Sequence, residues 1–114
     1  MSDANEGRTP TARMVVVYRT PRDPRAFDEH YFKVHVPLAW TLPGLRKYEA
    51  SRGPIVTVAG DRGTYLIGTL HFDDMAAIRA AFATPEGQAC AADRRVLAPN
   101  DGDVQIYLFE SSEV

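Results

Sequence analysis

Residues 64–82 read TYLIGTLHFDDMAAIRAAF, and the apolar period changes once inside that stretch. Thr64 to Phe72 has the β-branched and aromatic composition of a strand, with Leu66, Leu70 and Phe72 on one side and Tyr65, Ile67, Thr69 and His71 on the other. Beyond Asp73, the expected cap, Met75, Ile78 and Phe82 fall at i, i+3 and i+7, the spacing of a short amphipathic helix. A strand running straight into a helix is one half of an alternating α and β chain, and the flanking segments supply the rest.

Upstream, MVVVYRT (14–20) reads as a buried strand and PRDP as a turn. Asp23 can cap the next helix, with Pro24 in its first position, where a missing N–H costs nothing. Phe27, Tyr31, Val34 and Leu38 are then expected to face the core, and Pro37 to end or kink the helix near Val36. The residues LPGL (42–45) turn the chain into a second strand within GLRKYEASR, whose charges suit an exposed face or edge. GPIVTVAGDRG (53–63) reads as a hairpin excursion. Downstream, Thr84 and Pro85 open a helix to about Val96 that carries Asp93, and DVQIYLFE (103–110) is the last strand.

The order strand–helix–strand–strand–helix–strand gives an α+β, ferredoxin-like βαββαβ domain with an antiparallel sheet. One domain over residues 14–112 follows a polar tail, 1–13, expected as a mobile segment or an arm across a neighbour. Helices cover one sheet face only, so the other needs an apolar partner, most simply a second copy of the chain. In the first strand Val15 and Val17 oppose Met14, Val16 and Tyr18; in the last, Val104, Ile106 and Leu108 oppose Gln105, Tyr107 and Phe109. The aliphatic rows suit the helix-packed core. The mixed rows, with Tyr18, Tyr65, His71 and Tyr107, suit the uncovered face, as a pocket lining or a wet interface.

The chain has 114 residues, 45% apolar and 25% charged, with a formal net charge of -2. That is a soluble balance without a basic field for nucleic acid. Cys90 is the only cysteine, so no internal disulfide or cysteine-cluster metal site can form. No apolar run approaches the roughly 20 residues that cross a bilayer, and no signal-peptide core is present; a cytoplasmic protein without membrane contact is expected.

FDEHYFKVHVPLAWTLPGLRKYE, YLIGTLHFDDMAAIRAAF and TPEGQACAADRRVL together resemble the EthD-like family of the dimeric α/β-barrel superfamily. The resemblance covers about residues 14–110 and implies a homodimer whose two sheets form a barrel. It also implies a cavity in each subunit between sheet and helices, lined partly by the mixed rows. Family members are often grouped with oxidoreductases, and the superfamily includes cofactor-free monooxygenases, lactone isomerases and polyketide cyclases.

His35, a position that the family motif marks, and His71 are the candidate catalytic residues, since a neutral imidazole is a base near pH 7. His35 could equally bond backbone carbonyls freed by Pro37. Tyr18, Tyr31, Trp40, Tyr65 and Tyr107 are the candidate substrate contacts, tyrosine hydroxyls being able to stabilise a developing enolate. His30 is expected to face solvent, Cys90 to be buried and inert, and Asp93 to pair with Arg94 or Arg95 or to brace the helix. No set of three or four convergent metal ligands is seen, and no metal or organic cofactor is expected.

These residues point to a small homodimeric catabolic enzyme, monooxygenase-like oxidoreductase or cyclase/isomerase, moving a proton on a hydrophobic carbonyl compound. The alternative is a non-catalytic protein that holds such a ligand for a partner oxidase.

Overall fold

The computed structural model describes residues 9–114. Most of the expected tail, residues 1–8, lies outside the described residues. The first strand, β1, spans Ala12–Arg19. It starts two residues before the expected Met14, because Ala12 already pairs with both Phe72 and Glu110 and is fully buried. β2 (Lys47–Ala50), β3 (Thr64–Phe72) and β4 (Val104–Glu110) complete a four-stranded sheet in the order β2-β3-β1-β4, with every pairing antiparallel. β2 is an edge strand, as its charges suggested. Residues 53–63 form no strand of their own and simply link β2 to β3.

The first helical segment begins as expected. Asp23 accepts a hydrogen bond from the Ala26 N–H and Pro24 opens α1 (Pro24–His30). The helix does not stop at Pro37. It widens into a π-turn over Tyr31–His35, where the Val36 N–H reaches back five residues to the Tyr31 carbonyl, and continues as α2 (Val36–Ala39). Proline offers no N–H and its ring crowds the carbonyl four residues earlier; a wider turn accommodates both. The extra residue changes the phase. Phe27, Tyr31, His35 and Ala39 are buried, whereas Val34, expected inside, is 45% exposed. Gly44, with φ +82°, makes the turn into β2.

α3 (Met75–Phe82) is capped by Asp74, which accepts from the Ala77 N–H. Asp73, the expected cap, instead binds Arg46 across 2.8 Å. Thr84 caps α4 (Pro85–Leu97) by accepting from the Gly87 N–H.

Register decides which rows share a face. Tyr18 sits opposite Leu66 and Val104, Val16 opposite Gly68 and Ile106, and Met14 opposite Leu70 and Leu108. The helix-packed face therefore carries Ala12, Val16, Tyr18, Leu66, Leu70 and Phe72, all buried. Tyr18 belongs to this face, not to the uncovered one, because directly opposed residues of an antiparallel pair point the same way. The register slips between Tyr18 and Arg19. Such an irregularity re-aims a side chain, and Tyr65 beside it turns to the helices, its ring edge-on to Phe27. Val15, Val17, Ile67, Thr69 and His71 remain only partly covered.

Candidate active site

Between the helix-packed sheet face and the helices lies a cavity of about 180 Å³. Its floor comes from Val16, Gly68 and Leu70, its walls from Tyr31, Tyr48, His35 and Cys90, and Arg94 and Arg95 stand on the α4 side. Gly68 makes the room. A Cβ there would lie 2.9 Å from the Tyr31 hydroxyl and 3.6 Å from the Tyr48 ring.

His35 is 6% exposed, and the π-turn is what brings it inward. Its Nδ1 is 2.9 Å from Asp93 Oδ2, while Asp93 Oδ1 is 2.8 Å from His30 Nε2. One carboxylate thus joins two histidines from the first helix to α4. Burial pushes Asp93 up, but the hydrogen bonds from His30 and His35 outweigh it and hold the carboxyl below its usual value. An ionised carboxylate only accepts, so Nδ1 of His35 carries the proton and Nε2 is left as the basic nitrogen. Burial lowers the His35 pKa, and the bond to Asp93 and its charge offset only part of that. The imidazole therefore rests neutral and is ready to accept a proton.

Beside it stand two hydroxyls. Tyr31 and Tyr48 are bonded oxygen to oxygen at 2.5 Å, and the Tyr31 ring stacks on His35 at 5.5 Å. Burial raises both phenols, far above the usual value for Tyr48, so both stay protonated. When one donates to the other, the acceptor keeps its own proton, and no other acceptor for it is found among the described residues. The pair therefore holds one spare O–H donor, polarised by the bond it accepts.

Of the residues singled out from sequence, Tyr18, Tyr31 and His35 line the cavity; Trp40, Tyr65, His71 and Tyr107 do not. Trp40 is half exposed outside, 6.4 Å from the Tyr48 ring. Tyr65 donates to Asp28. His71 is 2.8 Å from Glu49, and Tyr107 donates to Gln105. His30 does not simply face solvent, and Asp93 binds histidines where an arginine was expected. Cys90 is buried, and burial pushes its thiol up to about 11. Sequence reasoning missed Tyr48, whose alternation with Lys47 and Glu49 in β2 was the available signal. It also missed Asp93 as the partner of His35, for which a separation of 58 positions left none. Among the described residues no three histidine, cysteine, aspartate or glutamate side chains are grouped to hold a metal ion.

Residues 19–100 match the model of the EthD domain. A Rhodococcus erythropolis protein, described as an uncharacterized 11.0 kDa protein in the thcB–thcC intergenic region, is 42% identical over 82 residues, 71% of this chain and 78% of that one. An ethyl tert-butyl ether D (EthD) family protein from Bacillus halodurans is similar in structure, with a TM-score of 0.79 and 29% identity over 90% of this chain and 99% of that one. SnoaB, a cofactor-independent oxygenase from Streptomyces nogalater, gives a TM-score of 0.64 at 17% identity over 93% and 97% of the two chains. A dimeric ferredoxin-like protein of unknown function from Thermobifida fusca gives 0.64 at 18% identity over 96% and 99%. The likeness to the last two is one of fold.

Proposed function

The chain belongs to the EthD family, and on that premise we propose that it is an enzyme transferring protons on a small hydrophobic carbonyl compound, working as a cytoplasmic homodimer. The observation that carries this reading is the buried His35 imidazole, fixed by Asp93 and set in a cavity wall next to the Tyr31–Tyr48 pair. Nε2 of His35 takes the proton from the carbon next to the carbonyl. The spare tyrosine O–H donates to the carbonyl oxygen as negative charge grows there. Asp93 stabilises the imidazolium that forms, as a carboxylate does for a histidine base. His71, Tyr65, Trp40 and Tyr107 have no part in this scheme.

A second reading draws on the fold shared with SnoaB. The carbanion formed at the same base would pass electrons to dioxygen, giving an oxygenase with the same residue requirements. The homodimer is supported by the apolar side chains left on β4, where Ile106, Tyr107, Leu108 and Phe109 are 43–48% exposed.

The test uses cyclohexanone in D₂O, following loss of the α-proton signals by NMR. The native protein is expected to accelerate exchange, and H35N to lose that acceleration by about 10²- to 10⁴-fold. Binding of the ketone without exchange would overturn proton transfer in favour of a carrier. Oxygen uptake in the same sample would select the second reading.

A further inference from the structure

The cavity is electrically lopsided. Among the residues that line it, Arg94 and Arg95 are cationic and none is anionic, although the whole chain carries a net charge of -2. Asp93, on the same helix, is bonded to His30 and His35 and is not among the lining residues. Arg94 donates through one nitrogen to the Ala98 carbonyl, which ties its stem to the end of α4 and leaves its charge at the cavity. Arg95 is exposed and makes no hydrogen bond or ion pair among the described residues. A guanidinium at an apolar cavity, without a protein partner, is a ready two-pronged donor for a carboxylate.

Size narrows the ligand further. Cavities of roughly 150 Å³ admit a benzene ring, so about 180 Å³ here holds one ring and a substituent or two. The remaining lining is mostly apolar, with the hydroxyl pair and His35 on one wall.

We infer that the ligand is a single-ring organic acid, its ring in the apolar cavity and its carboxylate held by Arg95 with support from Arg94. This rests on the proposed proton-transfer site and adds to it the charge of the substrate. The carbonyl or enol oxygen then meets the Tyr31–Tyr48 pair, while the anionic group lies toward α4. Two anchors at separate points would fix which ring carbon faces Nε2 of His35.

Calorimetric titration of the full chain with benzoate and with benzamide, its neutral counterpart of nearly equal shape, tests the inference. Benzoate is expected to bind about tenfold more tightly, the scale of one charge-assisted contact, and added salt to weaken benzoate alone. R95Q alters an exposed side chain without partners and is expected to lose most of that preference with its melting temperature unchanged. H35N is expected to keep it, so failure of the base and failure of the anion site give different results. Equal affinity for the two probes, no binding of either, or an undiminished preference in R95Q would overturn the inference.

Discussion

His35 and Asp93 illustrate how a residue gains its tautomer and orientation from a neighbour that local sequence does not suggest. The imidazole is depressed by burial and only partly restored by the carboxylate, so exchange catalysed by His35 should rise with pH and level off below the ordinary histidine range, near 6.5. D93N keeps an acceptor for Nδ1–H but removes the charge that favours imidazolium. The midpoint of the pH–rate profile should then move lower, and the plateau rate should fall by about 10²-fold. A midpoint that rises or stays put in D93N would show that Asp93 has no electrostatic hold on the base. The same depression bears on stability. A histidine less basic in the fold than in the unfolded chain favours unfolding as pH falls through the unfolded value, so acid costs stability here and alkali does not.

At the scale of elements, the first helix and the α3–α4 corner place the site. The π-turn rotates His35 inward by one residue's phase, and a regular α-helix through the same sequence would present Val34 instead. Gly87, at the third position of α4, lets that helix start against the end of α3. A Cβ there would collide with the Ala81 carbonyl and the Phe82 backbone. Two effects oppose each other in G87A. Helix propensity favours alanine by about 1 kcal/mol, whereas overpacking against rigid backbone costs roughly 1–3 kcal/mol. The clash should win, because backbone cannot swing aside as a flexible side chain can. Denaturant unfolding is expected to show a net loss of up to about 2 kcal/mol, and a stabilised G87A would mean that the corner is looser than its geometry.

At the scale of the whole molecule, the sheet is finished on one side only. Val15, Val17 and Ile67 are partly covered, and β4 exposes apolar side chains of both rows, Ile106 and Leu108 on one, Tyr107 and Phe109 on the other. A second copy packed on the uncovered face would bury Val15, Val17, Ile67, Tyr107 and Phe109, and each buried large side chain is worth about 1.5–3 kcal/mol. Light scattering should therefore give twice the chain mass at micromolar concentration. F109K, placing a second cation directly opposite Arg13, should shift the protein to monomer or lower its dimer affinity at least tenfold, the cost of burying an unpaired charge. A native monomer, or an F109K dimer as tight as the native one, would remove the homodimer.

What the sequence determined by itself was local. Alternation and helical spacing gave β3, α3, α4 and β4, and the Asp23–Pro24 and Thr84–Pro85 starts were readable because capping depends only on residues three or four apart. The antiparallel ferredoxin-like layout followed from how such elements must cover one another. The tertiary structure decided the rest. Parity sorted each strand into two correct rows, but only cross-strand register shows that the Tyr18 row joins the Leu66 row, and a one-residue irregularity turned Tyr65 out of its expected place. Widening at Pro37 chose His35 over Val34, a choice between two helical hydrogen-bond patterns separated by one residue. Asp93 reaches His35 only when α4 docks on the first helix. Period and capping are fixed by backbone geometry within a few residues, whereas register, helix phase and the partner of a buried charge are set by packing between segments distant in the chain.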